Sequence, residues 1–73
     1  MSPARARREL RYIGGRTDRL RRRIELNRWR LQEIVEPDIA KLYLLATGAA
    51  ELELAELNEV TAERRAALVP SYL

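Results

Sequence analysis

The 73-residue chain has no cysteine and no histidine. No disulfide can hold it together, and its redox compartment cannot be read. The commonest metal ligand and the usual general base are both missing. Phenylalanine is absent too, and Val-rich stretches are scarce, so a β-sheet is not expected. The longest apolar run, Leu42-Tyr43-Leu44-Leu45-Ala46, is far too short to span a bilayer. The basic N-terminus has no apolar segment of the secretory type. The expectation is a location in the cytoplasm or in a virus particle, not secretion, with no cofactor and no small-molecule substrate. No Gly-rich phosphate loop or nucleophile elbow occurs, so an enzyme is not expected.

What is present is alanine, leucine, glutamate and arginine, all good helix formers. Thirteen arginines accompany a single lysine, a bias associated with GC-rich genomes such as those of actinobacteria and their phages. The charges are segregated. Residues 1–35 hold eleven arginines and four acids, net +7; residues 36–73 hold Lys41, Arg64 and Arg65 against seven acids, net −4. The halves are able to neutralise each other or to recruit different partners. One short domain of this size buries only about 60% of its unfolded surface. Self-association or docking on a larger assembly is therefore the expected support.

Ser2-Pro3 reads as a helix start, with Ser as N-cap and Pro in the first turn. Gly14-Gly15 predicts a break or kink at 14–16, with Thr17 capping a new helix; a helix running straight through is the rival. Leu10, Ile13, Thr17, Leu20, Ile24, Asn27, Leu31 and Ile34 recur at alternating steps of three and four, the spacing of a heptad seam. Pro37 ends or kinks this helix near Glu36. A second region follows to about Thr47, where Gly48 can end or bend it. A third starts near Ala49, with Asn58 a stop and Thr61 a cap for a last short helix. The resulting division is a basic arm (1–16), a heptad helix (17–36), an acidic helical arm (37–69) and a tail (70–73). The fold class is all-α: a bent helical hairpin or three short helices, oligomeric or part of a larger assembly. The second arm is expected to face the first through Ile39, Leu42, Tyr43, Ala46, Ala50, Leu54, Leu57, Val60 and Leu68.

Several constellations could carry function. Arg16, Arg23 and Arg30 flank the seam on one side, and Arg21 and Arg28 on the other. A parallel homodimer would set arginine against arginine, whereas the glutamates of the second half would neutralise them. Arg5, Arg8, Arg11, Arg19 and Arg22 lie off the seam and are candidates for phosphate, because guanidinium forks match phosphate geometry. Trp29 lies opposite the seam with Leu26 nearby and Tyr12 on the same side. It reads either as core or as a docking anchor, since Trp and Arg are enriched in interface hot spots. Thr17 and Asn27 are polar within the seam; they either fix register or face solvent. Glu56, Glu59 and Glu63 form a carboxylate stripe that reads as a solvated face. The tail Val69–Leu73 is either a frayed end or a short apolar docking segment.

Leu20-Arg21, Ile24-Glu25, Leu31 and Ile34-Val35 resemble the first-helix pattern of the helical chorismate mutases. Pro37 interrupts the helix where that family continues it, and no downstream Arg–Lys set follows. No residue role is carried over from the resemblance.

The expected function is that of a non-enzymatic interaction or structural subunit in a multi-protein assembly, such as a phage particle or an actinobacterial complex. Its contact residues would be Leu20, Ile24, Leu26, Asn27, Trp29, Leu31 and Ile34. The alternative is a small nucleic-acid-binding regulator that uses the off-seam arginines.

Overall fold

The computed structural model describes residues 2–68, and the readings made on Val69–Leu73 lie outside them. Two helices make up the fold: α1 (Pro3–Leu31) and α2 (Pro37–Leu68). They pack side by side as an antiparallel hairpin, a rod of 57 × 18 × 14 Å. No described helix is long and apolar enough to cross a membrane.

The start of α1 follows from its first residues. The Ser2 hydroxyl accepts a hydrogen bond from the Arg5 amide at 3.3 Å, and Pro3 occupies the first turn, where no amide donor is missed. Arg28 and Arg30 sit in the last turn, where cations complement the negative helix end. The helix then stops at Leu31, several residues before the expected end near Glu36. The chain must reverse, and Glu36 precedes a proline, which disfavours helical backbone there. The amides of Glu33 and Ile34 close on the Arg30 carbonyl. Pro37 therefore opens α2 instead of kinking α1, and the Glu36 carbonyl accepts the Ala40 amide to begin the new ladder.

The glycines do not break either helix. Helix α1 runs straight through Gly14-Gly15, and α2 runs through Gly48, Asn58 and Thr61. No described residue has a positive φ. Each glycine costs about 1 kcal/mol relative to alanine, but a long helix docked on a partner along its length outweighs that local loss. Thr61 is not a cap; its hydroxyl donates to the Leu57 carbonyl one turn back, at 2.8 Å.

The interhelical layer is thin. Ala6, Ile13, Leu20 and Ile24 of α1 are buried against α2, with Leu10, Leu31 and Ile34 half-buried at the same spacing. Leu20, only 1% exposed, is the centre, joined by Ile24 and Ala50 and backed by Leu54 and Leu57. On α2 the inward positions are Ala40, Tyr43, Thr47, Ala50, Leu54, Leu57, Thr61, Arg64 and Leu68. Expectation and structure agree at Tyr43, Ala50, Leu54, Leu57 and Leu68, and Val60 is half-buried at the edge. Ile39, Leu42 and Ala46 are exposed instead. The inward face of α2 is built largely from small and polar residues, so reading by large apolar side chains drifts off it.

The polar seam residues are buried, Thr17 and Asn27 each at 7% exposure and Thr47 at 6%, so they do not face solvent. Thr17 and Thr47 donate their hydroxyls to the carbonyls of Gly14 and Tyr43 on their own helices, at 2.9 and 2.7 Å. No buried side-chain polar atom among the described residues lacks a partner.

Candidate interaction surfaces

The flanks of the hairpin are electrostatic, as the segregated charges imply. Arg16 forks onto Glu53, donating from Nε at 3.1 Å and from one terminal nitrogen to both carboxylate oxygens at 2.7 and 3.0 Å. This bond holds the Arg16 guanidinium pKa above its usual value. Arg28 donates to Glu51 at 2.6 Å on the opposite flank. At the open end of the rod, Arg64 reaches back to Glu9, which also accepts from Arg5 at 3.3 Å. The Arg64 hydrogen bond draws the Glu9 carboxyl below the ordinary carboxylate value; partial burial opposes the shift, and the charges of Arg64 and Arg5 reinforce it. Arg30 donates to the Tyr43 hydroxyl at 3.4 Å. Pairs this exposed contribute little to stability, but they set which faces meet.

The sequence-derived contact residues fall into two groups. Leu20, Ile24 and Asn27 are buried, and Leu31 and Ile34 half-buried, by the chain's own second helix. That ridge is already covered. Leu26 and Trp29 are different: they stand on the far side of α1, with Trp29 56% exposed. Tyr12 is exposed as well. The second helix does not wrap over the indole, so Trp29 is not core.

The off-seam arginines divide similarly. Arg5 is engaged by Glu9. Arg8, Arg11, Arg19 and Arg22 are exposed and make no ion pair among the described residues. With the helix unbroken at Gly14-Gly15, these four share the outer face of α1 with Leu26 and Trp29. Arg5 and Arg8 also border a shallow groove of about 650 Å³ between the helices, floored by Ile13, Leu57 and Val60.

The surface that sequence reasoning missed is on α2. Leu42, Leu45, Ala49 and Leu52 recur at steps of four and three, so they line one stripe of the helix. All four are exposed, Leu45 at 64% and Leu52 at 63%; Leu45, Ala49 and Leu52 stand on the side turned away from α1, and Leu42 borders a groove that it shares with Asn27 of α1. Toward the open end of the rod the same stripe continues as Glu56, Glu59 and Glu63, all exposed. No group of three or more potential metal ligands is gathered among the described residues, these glutamates included. The signal was present in the spacing of Leu42, Leu45 and Leu52. It was obscured because the same helix carries a second apolar set facing inward, and one periodicity masks the other.

No protein-family model matches this chain, and no curated protein or solved structure does so either.

Proposed function

We propose that this hairpin is a non-enzymatic interaction subunit, a small helical building block of a multi-protein assembly. The observation that carries the reading is the outward stripe Leu45, Ala49 and Leu52. A helix with apolar residues on both faces is normally covered on both faces. Here α1 covers one and no described residue covers the other. Large contiguous apolar patches on a solvent face mark interaction sites.

The area supports the same reading. A compact chain of 8.5 kDa would expose about 4,700 Å² by the usual scaling, whereas this one exposes 6009 Å². The excess follows from the rod shape, 57 × 18 × 14 Å, which leaves both long faces open to a partner; a standard interface takes about 800 Å² from each side. Trp29 and Leu26 add a second apolar patch ringed by arginine, the residue types that anchor interfaces. A phage particle or an actinobacterial complex is the kind of setting that the arginine-rich composition fits.

The test is native mass determination of the tagged chain from its source cells, alongside a Leu45→Lys, Leu52→Lys double variant. The parent is expected in a complex heavier than one chain, and the variant is expected to lose that mass while retaining its helical circular dichroism. A parent recovered as a lone chain, or a variant that keeps its full complement, overturns the reading.

A second reading rests on Arg8, Arg11, Arg19 and Arg22, which share one helix face and make no ion pair among the described residues. A nucleic-acid backbone is the alternative occupant of that face. Binding of generic DNA or RNA should then fall steeply with salt, as contacts to phosphate displace counterions. No retention on a DNA column at low salt removes this alternative.

A further inference from the structure

We infer that the outer face of α2 is covered by the outer face of α1 from a second copy of this chain, the two hairpins lying side by side with their turns at the same end. The inference rests on the docking reading above and names its occupant.

The argument is one of charge and register. The outer stripe of α2 begins with Asp38 and Lys41, is apolar from Leu45 to Leu52 at mid-helix, and is acidic toward the open end (Glu56, Glu63). The outer stripe of α1 has the matching order: apolar near the turn (Leu26, Trp29) and basic toward the open end (Arg22, Arg19, Arg11). Because the hairpin is antiparallel, on both helices the apolar patch lies nearer the turn than the acidic or basic patch that follows it toward the open end. The intrachain packing sets an offset through Arg64–Glu9 and Arg16–Glu53. A second copy slid along the rod by about one helical turn from that offset sets Trp29 beside Leu45, Arg22 beside Leu52, Arg19 beside Glu56 and Arg11 beside Glu63. Ala49 leaves room for the indole next to Leu45.

The competing self-pairing gains nothing from charge. Two α2 stripes packed antiparallel with Leu45 on Leu52 would set Lys41 of one copy beside Glu56 of the other but also Asp38 beside Glu59, so attraction and repulsion offset. Packed in parallel, they would set Glu56, Glu59 and Glu63 against their own copies. Like charges across an interface act against it. Pairing α1 with α2 is heterologous, so each added copy presents a fresh face, and the assembly grows with concentration as a ring or a stack.

The experiment is analytical ultracentrifugation of the full chain and two capping variants. The parent should rise above the monomer mass with concentration and fall back at high salt. Leu26→Lys with Trp29→Lys blocks α1; Leu45→Lys with Leu52→Lys blocks α2. Each variant alone should be a helical monomer, and their equimolar mixture should form a one-to-one dimer and nothing larger. A parent that stays monomeric at all concentrations overturns the inference, as does a variant that still assembles alone or a mixture that stays monomeric. If a capping variant loses its helicity, a charge swap decides instead. Arg19→Glu alone and Glu56→Arg alone should each weaken assembly at least several-fold, and both in one chain should restore it; no restoration overturns the pairing. Native complexes that hold other proteins through Leu45 and Leu52 but no second copy would remove the self-pairing and leave the docking reading intact. Complexes that hold nucleic acid through Arg19 and Arg22 would likewise remove the self-pairing.

Discussion

Helix α1 and helix α2 share a length scale and an interface, yet they are built on opposite plans. Helix α1 has a single apolar face, closed by its partner, and an outer surface dominated by arginine with Leu26 and Trp29 near its end. Helix α2 has a modest inner face of alanine, threonine and leucine, and leaves four of its leucines exposed: Leu42, Leu44, Leu45 and Leu52. A marginal chain gains from burying every large apolar side chain it can. That α2 turns Leu45 and Leu52 outward while Thr47 and Ala50 face α1 means its sequence serves two surfaces. The inner one makes the hairpin; the outer one is the face that we propose another molecule covers.

The sharpest way to break this contrast is to cut into each face separately. Leu20→Ala truncates the largest fully buried side chain of the inner layer and should cost about 2–5 kcal/mol, the range for buried leucine truncations. In a chain this small, urea unfolding should find the variant largely unfolded. A loss below about 1 kcal/mol would mean that the inner layer is not the core.

The next effect has the opposite sign. A side chain at Gly14 or Gly48 would meet nothing within 4 Å, and neither residue has a positive φ. Gly14→Ala and Gly48→Ala should each stabilise the hairpin by about 1 kcal/mol, read as a rise in the urea midpoint at unchanged slope. Destabilisation by either would show that the helix is bent or broken there after all.

Smaller still is the outer stripe measured on the isolated chain. Leu52→Lys should change monomer stability by no more than about 0.5 kcal/mol, as expected for a surface position, although it removes as large a side chain as Leu20→Ala does. A loss comparable to that of Leu20→Ala would place Leu52 in the core and end the distinction between the faces.

The last effect is a pH dependence at the open end. The Glu9 carboxyl is held below its ordinary value of 4.5, chiefly by the hydrogen bond from Arg64. Its folded pKa is depressed, so its contribution is present above the ordinary value and lost as pH falls through the lowered one. Thermal unfolding from neutral to acid pH should show this loss, and Glu9→Gln should flatten that part of the profile. An identical profile in the variant would remove Glu9 from the clamp.

Much of the hairpin was legible from the residues. Ser2-Pro3 opens α1 as read, the three-four spacing from Leu10 to Ile34 coincides with its buried and half-buried positions, and Pro37 separates two helical arms. The glycines misled because their cost was weighed locally, one residue at a time. In the fold each is carried by a helix docked along its length. Asn58 and Thr61 misled for the same reason, since a stop or cap signal acts only where the chain would otherwise be free to leave the helix.

The surface residues were harder to read. Trp29 was correctly singled out as lying off the seam, but whether α2 would wrap over it could not follow from spacing alone. Leu20 and Ile24 looked like contact points for another chain until α2 was seen to cover them. Leu45 and Leu52 share their helix with a second apolar set that faces inward, so their spacing does not stand out, and the spacing of that second set assigns Leu42 to the inner face.

Helical character, the reversal before Pro37 and the inward ridge of α1 were determined by the amino-acid sequence itself. They depend on local propensity, on the missing proline amide and on a spacing that one helix expresses alone. Which face of α2 meets that ridge, and therefore which leucines remain outside, was decided only by the tertiary structure. The choice between two apolar faces is made by what the opposite helix offers: the Arg16 fork for Glu53, the Arg28 contact with Glu51 and a shallow seat for Ala50 beside Leu20.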